Sequence, residues 1–423
     1  MLIFEKQRLS FLLYSCKEHF RAHPQLKLAL FTFFIAGFQI CLQGLFITEF
    51  SHALHTSTSK IIFLESVALT CCLISNYFSA YFINRFSAFN VLKISILLFI
   101  FGDIIFYIIL AHTKTPVNFT WLSYILTLII TGLGLGLLYP SINHTILELN
   151  TTSVKKASTL TWLNAFWNIG YCISSLIAST TAAAHKPNIP FLILSTLFIT
   201  LLIYLNKQTN LYQPQTNLIT LQSKRRNRIN FNDIPQQLLL VGCICLVITF
   251  TQNTVEYWFP AYLRIEHQKG MSMTAFAMSF FGLGQLLGRL FFGFWVIPKV
   301  NLTRFIIIMI AVLSSAISLF LFANPISITF LLIFIIGLSS SCLLPIMMNH
   351  DARRTACNHK ASFLVLMNTL GSTISFWLTS LFSQFISIHY AIISAPILLL
   401  SALAAYFLLQ TDYGKRRILA SLR

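Results

Sequence analysis

Polar side chains stranded inside long apolar runs carry the chemistry open to this chain. The densest group is Thr249, Thr251, Gln252, Asn253, Thr254, Glu256 and Tyr257. Glu256 follows Gln252 by one helical turn, so a helix puts both on one face. A carboxylate in a low-dielectric span is costly to keep charged, which suits it to loading and releasing a proton. Its plainer role is an outer-end residue that reaches water or Arg264. Glu65 and Asp103 are further proton-coupling candidates, but each lies towards the outer end of its run, where it could reach the headgroups, so the sequence leaves open whether they face a cavity or the outer surface. The uncharged candidates are Gln39 and Gln43, Asn143, Asn164 and Asn168 beside Trp167, Gln252 and Asn253, Gln285 and Asn368. Amides can bond hydroxyls and an indole can stack on the C–H face of a ring, so these residues suit a polar solute such as a sugar. The same amide pairs equally describe hydrogen bonds between helices. No Cys or His cluster has metal-ligand spacing, so neither metal nor cofactor is expected.

The elements that must hold these residues follow from composition. The chain is 56% hydrophobic and 9% charged, against about 25% charged for soluble domains. Apolar runs of about 20 residues, enough to cross a bilayer, recur at 27–47, 60–83, 89–111, 119–147, 157–183, 189–206, 237–263, 271–297, 303–323, 325–349, 360–386 and 389–410. They lack the alternation of a barrel, so the expected fold is all-α with twelve transmembrane helices. The polar stretch 207–236 divides them into six-helix bundles at 27–206 and 237–410. Basic segments at 1–26 and 411–423 flank them. The nine cysteines read as reduced packing residues.

One pattern occurs in each half. Gly132-Leu-x6-Pro140 is echoed by Gly337-Leu-x6-Pro345, and Lys156-Ala157-Ser158 before Asn164 is echoed by Lys360-Ala361-Ser362 before Asn368. The echo indicates an internal duplication, a habit of transporters. Gly132 with Gly136, and Gly337 with Ser341, let a neighbouring helix approach closely. Each proline removes a helix donor, which makes Pro140 and Pro345 candidate gate positions. The duplication also pairs Asn164 with Asn368 as positions facing one site from the two halves.

The net charge of +18 is a matter of topology. With the N-terminus in the cytoplasm, every Lys and Arg except Lys60, Lys114, Lys186, Arg264 and Lys269 falls on the inner side. Both termini are then cytoplasmic, in a plasma or bacterial inner membrane. The expected partners are lipid, a small-molecule substrate and a proton. No nucleic acid is expected, and the chain should be a monomer. Arg289, in the inner half of its span, should meet a carbonyl or a carboxylate and act as a gating residue. No Lys or Arg is expected at mid-depth, so a neutral solute is favoured over an anionic one.

Two six-span halves with a basic central loop resemble the major facilitator superfamily. Ala80-x-x-x-Asn84-Arg85-x-Ser87 stands where that family has Gly-x-x-x-Asp-Arg-x-Gly-Arg, and keeps the Arg alone. Gly288-Arg289-Leu290-Phe291-Phe292-Gly293 is similar to its span-8 signature, with Ile297 at the acidic position. Trp258-Phe259-Pro260-Ala261-Tyr262 is similar to the span-7 ending of the TsgA-like and fucose-permease-like branch. The resemblance implies alternating access about a site lined by spans 1, 4, 7 and 10, with Arg85 and Arg289 in gating segments. It implies a secondary transporter; the uncharged cavity candidates and Glu256 make the expectation a proton-coupled one for a small polar solute. A drug exporter of the same fold is the alternative, although span 5 has Gly170 without the exporter's Gly-Pro. A non-transporting receptor is the alternative of another class. No enzyme is expected, since the serines after Gly337 have no placed His partner.

Overall fold

The computed structural model describes residues 24–111, 117–147, 153–208, 235–292, 301–323, 325–347 and 360–421, and among them there is no strand. The first half comprises α1 (Pro24–Leu45), α2 (Ile47–Ala53), α3 (Thr58–Phe86), α4 (Ala88–Ala111), α5 (Val117–Leu147), α6 (Ser153–Ala183) and α7 (Ile189–Gln208). The second comprises α8 (Gln236–Ile265), α9 (Met271–Phe291), α10 (Leu302–Phe320), α11 (Ile326–Ser340), α12 (Leu343–Ile346), α13 (Lys360–Phe385) and α14 (Ile388–Ser421). Among the described residues, nine helices are long and apolar enough to cross a membrane. The other three expected spans are α6, α11 and α13. The first and last of these are rich in Ser, Thr and Asn, as suits helices that line the interior of a bundle. The whole is a multi-pass membrane fold.

Two expected spans break. The first stops at Leu45 and restarts as α2 after Phe46. The tenth stops at Ser340, turns, and resumes as α12 with Pro345. Pro345 has no N–H for the Ser341 carbonyl one turn back, which accounts for a break there. The matching Pro140 lies inside an unbroken α5. The duplicated proline therefore breaks the helix in one half only. The segments 1–26 and 207–236 lie mostly outside the described residues. The tail expected from 411 continues α14 as helix to Ser421.

Packing repeats as the sequence does. In the first half α1 lies on α6 and α7, and α5 lies on α3 and α4. In the second half α8 lies on α13 and α14, and α11 lies on α9 and α10. A Cβ on Gly132 would stand 2.1 Å from the Ala68 carbonyl oxygen of α3, and one on Gly337 would stand 2.2 Å from the Phe281 carbonyl oxygen of α9. These helices touch backbone to backbone, which only a residue without a side chain permits.

Two seams join the halves, α6 along α9 and α3 along α13. At the end that carries Glu49, Arg264 of α8 forms an ion pair with Glu49 and donates to Thr48, both on α2. Ser59 bonds Ser383 at 2.6 Å there, Ser380 donates to the Ser59 carbonyl, and Ser179 donates to the Ser272 carbonyl at 2.8 Å. Around the outside, large apolar side chains such as Phe101, Leu122 and Phe385 are exposed, as a lipid-facing surface requires.

Candidate functional site

The polar residues of α8 split between two tasks because a helix turns its successive residues to different neighbours. Gln252 donates to the Ser340 carbonyl of α11 at 2.8 Å, and Asn253 donates to Ser372 of α13 at 2.9 Å. Asn368 accepts from Thr249. These amides fasten α8 to its own half. Glu256 turns the other way. It accepts from Gln285 of α9 at 3.4 Å and lies within electrostatic reach of Arg289. Arg264, its expected alternative partner, is taken by Glu49.

Arg289 is the residue that crosses between the halves. Its Nη1 donates to the Asn164 carbonyl at 2.7 Å and to Asn168 Oδ1 at 3.1 Å, both on α6. Its Nε and the Asn168 amide nitrogen are buried without a hydrogen-bond partner. Tyr139 of α5 lies within the electrostatic reach of both Glu256 and Arg289, and its ring packs 5.5 Å from that of Trp167. The expected carbonyl partner of Arg289 is present. The premise that no cation stands among the central polar residues is corrected: a long side chain on α9 reaches across the seam to residues one turn apart on α6. A carboxylate, a guanidinium and amides from both halves therefore meet at the α6–α9 seam, with the Tyr139 and Trp167 rings beside them.

A second group is buried in the first half. Glu65 is 2% exposed and Asp103 is fully buried, so of the two alternatives left open, the headgroups or the interior, the structure has the interior. Neighbouring helices cover them. The Tyr124 hydroxyl of α5 donates to Glu65 Oε1 at 2.8 Å. That tyrosine is fixed by packing against Phe50, with ring centroids 5.1 Å apart. Asp103 faces the Gln39 amide of α1, yet neither its two oxygens nor the two polar atoms of Gln39 make a hydrogen bond of good geometry. Gln39, Gln43, Glu65, Thr131 and Tyr257 line a void of about 10 Å3, room for one water molecule.

Other expected positions do not join these groups. Asn143 is exposed near the end of α5. Arg85 is exposed, donates to Tyr81 at 2.8 Å and lies over the Phe86 ring, all local contacts. Of the pair expected to face one site, Asn164 lies at the α6–α9 seam, where its carbonyl accepts from Arg289, and Asn368 accepts a bond from α8. Pro140 lies two turns from Gly132 on α5, and the side chain of Pro345 lies outside the described residues. Sequence reasoning missed Tyr124, Tyr139 and the Glu49–Arg264 pair. The partners are 59 residues apart for Tyr124 and Glu65 and 215 for Arg264 and Glu49, so no local spacing could have signalled them. Among the described residues no cluster of His, Cys, Asp or Glu is suited to a metal ion.

A family model described as Major Facilitator Superfamily matches residues 28–361. No curated protein sequence matches. Among solved structures the chain is similar to a D-xylose–proton symporter, at 15% identity and TM-score 0.69, covering 91% of this chain and 96% of that one. It is similar to the peptide transporter POT in complex with sulfate, at 13% identity and TM-score 0.69, covering 92% and 94%. It is also similar to a partially occluded inward-open structure of the xylose transporter XylE from E. coli, at 12% identity and TM-score 0.67, covering 90% and 97%. At such identities the likeness is one of fold. With a family model matched over most of its length and a helical bundle of the same architecture, the chain belongs to the major facilitator superfamily.

Proposed function

We propose that this secondary transporter moves a small polar solute, with a sugar as the first choice, by alternating access coupled to protons. The observation that carries the proposal is the Glu256–Gln285–Arg289–Asn168 group, which spans the seam between the halves. A rocking motion of the halves must break or remake it, so proton load at Glu256 and seam geometry are coupled. The symporter and XylE likenesses support a sugar, and the Trp258-x-Pro260-x-Tyr262 ending supports the TsgA-like and fucose-permease-like branch. The two halves divide at 207–236, the Glu49 end faces outwards, and the bonds there belong to a state closed on the outer side. The membrane is the plasma or bacterial inner membrane, with both termini cytoplasmic and the chain a monomer.

A second reading has one specific observation behind it. The unpartnered Nε of Arg289 suits a solute that bears a carboxylate or phosphate, which a guanidinium grips through two parallel bonds. Uptake of radiolabelled sugars, amino acids, nucleosides and organic anions into proteoliposomes decides between these readings. Accumulation of a neutral sugar under an inward proton gradient is the expected result. Transport of organic anions alone would favour the second reading. Glu256→Gln should abolish dependence on the gradient while leaving solute exchange intact; unchanged dependence would remove Glu256 from the mechanism.

A further inference from the structure

A hollow of about 650 Å3 lies between the two halves at the end that carries Glu49, within the size range of small-molecule sites. It belongs to neither polar group described above. Its first-half wall is a row of hydroxyls between Thr48 and Ser59, and its second-half wall carries Arg264, Gln268 and Lys269. Two tight turns bring these walls together. After α2, His55 takes the left-handed conformation (φ 49°) and the Thr56 N–H returns to the Ser51 carbonyl at 2.9 Å. After α8, Gln268 does the same (φ 50°) and the Lys269 N–H returns to the Leu263 carbonyl at 3.0 Å. Each turn satisfies a carbonyl of the helix just ended and leads into the N-cap of the next, Ser57 for α3 and Gly270 for α9. Both N-caps line the hollow, and a Cβ on Gly270 would meet no atom within 4 Å. The charges there are unbalanced. Arg264 holds Glu49, Thr48 and the Met271 sulfur through Nη1 alone, so its Nε and Nη2 donors are left for a ligand. Lys269 forms no ion pair among the described residues. No carboxylate lines the hollow: Glu49 is taken by Arg264, and Glu266, on the same turn, is exposed and outside the lining.

We propose that this hollow binds a sugar acid, a polyol ending in one carboxylate, with the carboxylate on Lys269 and the free donors of Arg264 and the hydroxyls along the Thr48–Ser59 wall. The charge sets the class. Arg264 and Glu49 cancel, which leaves the single positive charge of Lys269 to be met by a monoanion. The helix N-termini of α3 and α9 add a field of the same sign. Serine and threonine hydroxyls both donate and accept, as the hydroxyls of a polyol require. The occupant is water-soluble and not a lipid, because Ile265 is the single apolar side chain in the lining and leaves an acyl chain nothing to lie on. The second half holds the charged end and the first half holds the body, so an occupied hollow fastens the halves together at this end. Under the proposed alternating access the ligand must leave before this end opens, and it acts as a brake apart from the solute at the Arg289 seam. Binding itself requires no transport.

The test uses the full-length protein in detergent with radiolabelled gluconate as the probe, sodium chloride holding ionic strength constant. Equilibrium dialysis should show saturable retention. Glucose, the body without the charge, and acetate, the charge without the body, should each compete at least about tenfold less well than unlabelled gluconate, since each lacks one set of bonds. Lys269→Gln should weaken gluconate about tenfold through the loss of one charge-assisted hydrogen bond, and Thr56→Val should weaken it less. Lys186→Gln, which removes an exposed lysine outside the lining, should bind like the wild type. The brake is read from Ser179→Cys, at the α6–α9 seam and outside the lining, in a background with the native cysteines replaced. Its maleimide labelling should slow about tenfold at gluconate ten times above its Kd, because opening then competes with binding. Absence of saturable retention, equal competition by glucose or acetate, or unaltered affinity in Lys269→Gln overturns the site. Retention that appears only with added phosphatidylglycerol overturns it in favour of a lipid headgroup. Unslowed labelling with gluconate bound overturns the brake. Glu256→Gln should leave gluconate retention unchanged, so proton coupling at the seam can fail while this site survives, and the reverse.

Discussion

The ion pair between Glu49 and Arg264 offers a quantitative test of how the halves are held. Its two side chains are 16% and 17% exposed, between a surface pair and a buried one. Exposed pairs contribute up to about 1 kcal/mol, whereas breaking a fully buried pair costs about 3–5 kcal/mol. A coupling of about 2 kcal/mol is therefore expected, with Thr48 as a third member. The pair bridges α2 and α8, so under the proposed alternating access it is made only while this end is closed. Its loss shifts the equilibrium between closed and open ends by about 30-fold, since each 1.4 kcal/mol is a factor of ten. The double-mutant cycle of Glu49→Gln and Arg264→Gln isolates the pair from the cost of stranding either partner. A cysteine placed at Ser272, which meets Ser179 across the seam, reports opening through its rate of maleimide labelling, read against the same cycle in a background with the native cysteines replaced. Each single variant should label about ten- to thirty-fold faster, and the double variant little faster than either. Purely additive rates, or single variants within twofold of the parent, would refute the idea that this pair latches the end.

Three further outcomes follow from the geometry. Gly132→Val puts a Cβ 2.1 Å from the Ala68 carbonyl oxygen, so α3 and α5 must part, at about 3 kcal/mol; a drop in melting temperature in detergent checks this, and Gly337→Val should behave alike against Phe281. His267, in the turn between α8 and α9, has its imidazole held below the usual histidine value by burial, with Lys269 acting the same way and Glu266 opposing. The folded protein therefore stays neutral there while the unfolded chain takes up a proton, so stability is full above about pH 6.5 and falls as pH drops through it. His267→Gln should flatten that part of the melting-temperature profile. Arg289→Met should remove the α9 bonds to Asn164 and Asn168 and reduce solute exchange at least about tenfold, while a variant that exchanges at the wild-type rate would take Arg289 out of the mechanism.

The membrane class, the helical fold and the halves' echo were legible in the sequence because they depend on quantities that accumulate along it: run length, apolar fraction and periodic glycine. Gly132 and Gly337 mark backbone contacts that local sequence can announce, since only a missing side chain permits them. The carboxylates were also visible, Glu256 among them. Its partner was not: Gln252, one turn away, bonds Ser340, and the bond to Glu256 comes from Gln285 on the next helix. The surroundings of Glu65 and Asp103 stayed open because depth along a helix says nothing about what covers its side. Phe50, Tyr124 and Gln39 cover them, from helices far away in the chain. Arg289 shows the same limit. Its place in α9 was clear from hydropathy, but whether a long side chain lies along its own helix or crosses to the other half depends on how two helices 120 residues or so apart pack. The sequence by itself determined which residues enter the membrane and on which helices they ride. Tertiary packing alone decided which of them meet, because a buried charge or amide is defined by the partners other helices bring to it.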